Sequence, residues 1–219
     1  MNSIKFFKLW HENNLNKYQQ MVPGDFINLE DLTCPELLDR AWPFLQEYRV
    51  HFAQLNIDTE YVGFVSASFS QKFGLANNDL LIDRLQTQDF LNYDLTPIVS
   101  SRKDWITQAN HWHPGIQKYI DYYCEIANID KKFLNNSIFY CNSFVCKTEL
   151  YEKARTIYTQ NLPLTLAHFD YKLDYNGTIY DDVRKGGCLC ERLWALTLSS
   201  VCEKKHAGIA NIIVGGLVT

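Results

Sequence analysis

Short apolar runs of strand length alternate with longer runs of helical spacing along this chain, and that alternation restricts the fold more than any other feature. "IKFFKLW" (Ile4–Trp10) is aromatic and apolar with loose alternation, which predicts a buried strand. "CPELLDRAWPFLQEYRVHFAQL" (34–55) carries apolar residues at helical spacing, with Pro35 near its start and Pro43 inside it, and predicts a helix kinked or split at Pro43. "EYVGFVSASFS" (60–70) predicts a second strand that ends in small polar residues. The next segment opens on a turn signal at Asn77-Asn78-Asp79, carries a short amphipathic stretch and closes on the strand-like "DLTPIVS". Pro114 opens a helix in "WHPGIQKYIDYYCEIANI"; residues 137–145 predict a strand, and a helix follows from Thr148. After a loop in "YNGTIYDDVRKGGC", the stretch "CERLWALTLSSVCEKK" spreads Leu193, Leu196, Leu198 and Val201 around a mostly buried helix. Strands alternating with helices predict an α/β fold rather than an all-α or all-β one.

The chain's 219 residues suffice to bury a continuous core without disulfides or a structural metal, so residues 1–219 are read as one domain. With 47% apolar and 21% charged residues, the composition is that of a globular protein. A net charge of -4 argues against a phosphate-backbone partner, which needs clustered cations, so no nucleic acid is expected. No apolar run approaches the roughly 20 residues that span a bilayer, so no membrane span is expected. The N-terminus has no apolar signal region and cysteines number seven, an odd count, so the thiols are expected to be reduced in a cytoplasmic compartment. The sequons at Asn135 and Asn176 are then accidental, and a monomer is the default. The apolar ending "GIANIIVGGLVT" is expected of a domain cut from a longer polypeptide.

Cys188/Cys190 lacks the C-x₂₋₄-C spacing of zinc knuckles, which leaves Cys141/Cys146 without the second knuckle of a paired site, and the cysteines read as buried free thiols. No G-x-x-x-x-G-K-[ST] loop and no G-x-G-x-x-G turn occurs, so no glycine cradle for phosphate is indicated. The remaining route to a phosphate ligand is a metal-bridged diphosphate held by short side chains at a strand end. Manganese or magnesium prefers oxygen ligands, and the diphosphate supplies several. His111 and His113 in "HWHPG" stand near a helix start, in ligand or capping roles. In "LAHFDYKLDYNG", His168 and Asp170 are two apart on an apparent strand and share one face, which makes them a metal or acid/base pair.

The segments "TEYVGFVSASFSQKF", "NYDLTPIV", "SIFYCNSFVCKTELYEKA" and "YDDVRKGGCLCERLWALTL" resemble, in order and spacing, the small glycosyltransferases of the capsular-polysaccharide type. Tyr61 and Gly63 match the family's first site strand, and Arg184, Gly187, Glu191, Arg192 and Leu193 match the recurring residues near its end. The resemblance covers residues 4–200. It implies a GT-A-like fold with a central mixed, mostly parallel sheet flanked by helices and one nucleotide-sugar site. Size, acidity and reduced cysteines are also similar to those of chlorella-virus glycosyltransferase domains that decorate a major capsid protein. The implied partners are a UDP-linked sugar donor, a UDP-hexose or UDP-6-deoxyhexose, and a glycan or glycoprotein acceptor, such as a viral capsid glycoprotein.

In one place the chain departs from the family. Ser66-Ala67-Ser68 stands where such enzymes carry Asp-x-Asp, and a hydroxyl is a poor ligand for a divalent metal. Asp79 is then expected to supply the metal ligand, with His168, while Ser66, Ala67, Ser68 and Asn78 line the donor. The alternative is a metal held mainly by diphosphate and water.

Transfer through an oxocarbenium-like transition state needs cations at the departing diphosphate and, in an inverting reaction, a carboxylate at the acceptor hydroxyl. Arg40 and Arg184 are expected at the diphosphate, since guanidinium binds phosphate bidentately; Lys8 or His11 lines the base or ribose pocket. Glu191 is the expected base: Gly186-Gly187 makes a hinge and Glu191 then falls on the first turn of a helix, where the dipole keeps it ionised. Asp170, Asp181 and Asp182 are its rivals, and a cap or an ion pair with Arg40 or Arg184 is the alternative role of Glu191. A nucleotide- or sugar-binding module without catalysis is the competing function, and a Cys-dependent hydrolase the third.

Overall fold

The computed structural model describes residues 4–10, 24–66, 89–135, 137–139, 142–175, 181–205 and 210–211. Eight strands are described: β1 (Ile4–Trp10), β2 (Asp25–Asn28), β3 (Tyr61–Val65), β4 (Leu95–Pro97), β5 (Val99–Asp104), β6 (Ser137–Phe139), β7 (Phe144–Lys147) and β8 (Ala210–Asn211). Five form a mixed sheet in the order β2-β1-β3-β7-β4, and β6-β5-β8 form a second, smaller one. β1 pairs parallel with β2 and β3, whereas β7 runs antiparallel to both β3 and β4.

The helices are α1 (Trp42–Leu45), α2 (Trp105–Trp112), α3 (Gln117–Ile126), α4 (Thr148–His168) and α5 (Asp182–Val201), with 3-10 turns at Glu36–Leu38 and Gln46–Phe52. The helix expected over 34–55 is thus split into three short pieces. Every residue of β3 is buried, as expected of a central strand covered on both faces. Phe64, Phe144, Tyr151, Tyr158 and Trp194 form the aromatic middle of the core between the sheet and α4 and α5. Gly63 has no side chain because the Phe6 ring occupies the place of its Cβ.

Four expectations are corrected. The Gly186-Gly187 pair is no hinge: α5 begins at Asp182, capped by the Asp181 carboxylate, which accepts the Arg184 N–H at 2.8 Å. Both glycines lie inside the helix, where a Cβ on Gly186 would fall 2.6 Å from the Phe44 Cβ. Close packing of α5 on α1, rather than backbone freedom, requires glycine there. Residues 137–145 are two strands in different sheets, β6 and β7, separated by a turn in which Asn142 has a φ of 45°. His168 and Asp170 are not on a strand. His168 ends α4, and Asp170 and Tyr171 follow with φ of 50° and 59° in the turn that terminates it. Pro114 precedes α3 by a turn rather than opening it, and α2 was not expected.

Candidate functional site

β1 and β3 run side by side to a common edge, with Lys8 in register with Val65. The strand order reverses at β1, which has β2 on one side and β3 on the other. In open α/β sheets, ligands bind outside the carboxyl ends of the strands at such a reversal. β7, being antiparallel, starts at this same edge: Phe144 pairs with Phe64, which brings Asn142 and Ser143 beside Ser66.

Ser66 is fully buried and makes two contacts there. Its N–H donates to Ser143 Oγ at 3.1 Å, and its Oγ donates to Glu47 Oε2 at 2.7 Å. Glu47 arrives on the 3-10 turn after α1, whose Tyr48 and Val50 are anchored in the core. Behind it His51 lies flat on Trp194, ring centroids 3.7 Å apart, with its ring nitrogens 3.2 Å from Tyr151 Oη and 2.9 Å from Asn142 Oδ1. Burial holds the His51 pKa down at about 3, so the ring is neutral and carries one N–H. Asn142 Oδ1 is only an acceptor, so Nε2 donates to it and Nδ1 accepts from Tyr151. A chain of hydrogen bonds therefore runs from Tyr151 through His51 to Asn142, next to the Ser143 hydroxyl that holds Ser66.

The other expected residues are placed as follows. Lys8 on β1 is buried, its ammonium 3.9 Å over the Phe26 ring; burial lowers its pKa and Asp25 opposes this. Arg40 and Asp170 come together at 3.5 Å, and the Arg40 guanidinium lies 4.3 Å from the Tyr171 ring centroid. Asp170 also pairs with Lys172 at 3.0 Å; Lys172 and then Arg40 hold its carboxyl below the usual range, which weakens it as a base. Asp182 is on the first turn of α5, 3.7 Å from Lys185, and Arg184 on the same turn is exposed. Glu191 sits in the middle of α5, half-buried, so the helix dipole does not hold its charge. It neighbours His113, whose pKa burial lowers to about 4, with Arg192 adding to the fall and Glu191 opposing it. His11, Ala67, Ser68, Asn78 and Asp79 lie outside the described residues.

His168 stacks on Tyr122 with ring centroids 3.8 Å apart. Among the described residues no three His, Cys, Asp or Glu side chains are grouped to hold a metal ion. Glu47 brings a carboxylate to Ser66, while Asp79, the expected metal ligand, lies outside the described residues. Cys146, Cys190 and Cys202 are buried free thiols, as expected, and so is Cys124; Cys188, expected to be buried, is only half-buried, and Cys141 lies outside the described residues. Burial pushes Cys124 to about 11 and Cys190 and Cys202 to about 12. Glu47, His51 and Asn142 were not expected at the site. No local pattern marks them, because each gains its role from a partner distant in sequence.

No protein-family model and no curated protein matches the chain. Its fold is similar to the apo structure of WbbM, a bifunctional glycosyltransferase, with a TM-score of 0.54 at 16% identity, over 98% of this chain and 46% of that one. The chain spans less than half the length of that protein. No described helix is long and apolar enough to cross a membrane. The mixed sheet flanked by helices, shared with a glycosyltransferase, is the GT-A-like fold expected for this chain.

Proposed function

We propose that this chain is a glycosyltransferase that moves a sugar from a UDP-linked donor to a hydroxyl of a glycan or glycoprotein acceptor. The observation that carries the reading is the Glu47 carboxylate tied to Ser66 at the C-terminal edge of β3. The place where the sequence lacks Asp-x-Asp has a carboxylate after all, brought from another segment. The likeness of fold to a glycosyltransferase supports the same reading. In it, Lys8 and His11 border the base and ribose, Arg184 meets the departing diphosphate, and Glu191 takes the acceptor proton in an inverting reaction. Arg40, engaged with Asp170, contributes by releasing that pair. The UDP-hexose donor, the viral capsid acceptor and the cytoplasmic location rest on the sequence alone. So does the metal, manganese or magnesium with Asp79 as its ligand.

The second reading is a nucleotide- or sugar-binding module without catalysis, favoured by Ser66-Ala67-Ser68 standing in place of Asp-x-Asp. A thermal-shift titration with UDP, GDP, ADP and TDP, each with and without manganese, tests both, because a ligand of the native state raises the midpoint. UDP-selective stabilisation that Glu47→Gln removes is expected. No shift with any nucleotide overturns both nucleotide readings, and UDP binding without slow hydrolysis of a UDP-sugar leaves the binding module.

A further inference from the structure

A groove of about 690 Å³ lies between α3 and the end of α4, and none of its lining residues belongs to the cluster at the strand edge. Its size is within the ~300–1,000 Å³ of small-molecule sites. Tyr122 and His168 stack nearly parallel in it, 13° apart, and Phe169 stands edge-on to both at 82° and 87°. Glu125 and Asn128 project from the last turn of α3 and just beyond it; Asn128 has a φ of 53° and is exposed.

The charges of the groove are largely spent on one another. Lys131 pairs with Asp121 at 2.7 Å and Lys118 with Asp174 at 2.5 Å, while Asp130 pairs with Lys132 at 3.0 Å. Three carboxylates, Asp121, Glu125 and Asp130, line the groove against two ammonium groups, Lys118 and Lys131, so a phosphate or an acidic polymer finds no surplus of cations. The Glu125 carboxylate makes no direct ion pair among the described residues, although its charge adds to that of Asp121 in raising the Lys131 pKa; the Asn128 amide, the Tyr122 hydroxyl and the His168 imidazole are the other polar groups of the lining. They mix donors with acceptors around an aromatic surface.

A pyranose presents matching chemistry: a face of weakly positive C–H groups for the negative face of a ring, and a rim of hydroxyls that donate and accept. A carboxylate accepts from two vicinal hydroxyls, and an amide does both. We propose that this groove is a saccharide-binding site separate from the strand edge. Holding the acceptor chain while its end is glycosylated is its use, and that part rests on the transferase reading.

The test is an NMR titration of the whole chain with a panel of α- and β-linked gluco-, galacto-, manno- and rhamno-disaccharides. At least one is expected to shift the amides of α3 and of residues 168–169. Glu125→Gln, an exposed near-isosteric change, and Tyr122→Ala are each expected to weaken that binding by at least about tenfold. Neither is expected to alter the thermal shift with UDP. The proposal is overturned if no disaccharide binds, if binding shifts only residues at the strand edge, or if Glu125→Gln leaves the affinity unchanged. Disaccharide binding without any nucleotide response keeps the groove and removes the transferase reading; nucleotide response without disaccharide binding does the reverse.

Discussion

Ser66 Oγ donates to Glu47 Oε2 at 2.7 Å, joining the end of β3 to a 3-10 turn nineteen residues earlier in the chain. Replacing Glu47 by Gln keeps the shape and removes the charge. The expected outcome is a loss of about tenfold or more in UDP affinity or turnover, with stability lowered by only ~1 kcal/mol, since the pair is partly solvated. Denaturant unfolding alongside a UDP titration checks it. Loss of stability and binding in proportion would show a merely structural contact.

Gly186 and Gly187 give opposite expectations for one substitution. Alanine in a helix interior normally stabilises over glycine by ~0.5–1 kcal/mol. At Gly186 the new Cβ would stand 2.6 Å from the Phe44 Cβ and 3.0 Å from its Cα, atoms that cannot yield cheaply, so Gly186→Ala is expected to destabilise by ~1–3 kcal/mol. At Gly187 the nearest atom is the Gln46 Cγ on an exposed, flexible side chain, so Gly187→Ala is expected near neutral. Thermal midpoints of the two variants decide between packing and hinge.

Stability is expected to fall as pH drops below about 6.5, the unperturbed histidine value. His51 has a folded pKa lowered to about 3, so the unfolded chain takes the proton first. Its contribution is fully present above pH ~6.5 and declines toward pH ~3, by ~2 kcal/mol at pH 5. His113, lowered to about 4, acts in the same direction. Midpoints at pH 7 and pH 5 should therefore lie closer together in His51→Gln than in the parent chain; an unchanged difference would show that His51 does not titrate on unfolding.

Iodoacetamide at pH 8 is expected to spare Cys124, Cys146, Cys190 and Cys202 in the native protein and to modify them only after unfolding. These thiols are buried, with pKa values raised by desolvation, and the thiolate is the reactive form. Cys34 is exposed and is expected to be labelled first. Mass spectrometry of the labelled peptides reads the order. Rapid native labelling of any of the four would revive a thiol-based chemistry.

The elements legible beforehand are those with strong local signals. The aromatic run Ile4–Trp10 is a strand over that whole span, and the helix expected from Thr148 begins there. Pro43 announced a break between 34 and 55, but it lies in the first turn of α1, where its missing N–H is tolerated, so it accounts for the break before Trp42 and not for the change to a 3-10 turn at Gln46. Less legible was the start of α5, where two glycines imitate a loop until Phe44 is seen to fill the space beside Gly186.

By itself, then, the sequence determined the class of fold, the burial of Cys146, Cys190 and Cys202 and the strands and helices whose residues carry their own propensity. The tertiary structure alone decided which distant groups meet. Glu47 reaches Ser66, and His51 reaches Asn142 over a separation of 91 residues, only because the core rings around Trp194 hold those segments together. Periodicity reports which face of an element is buried; it does not report which polar side chain from elsewhere will be buried against it.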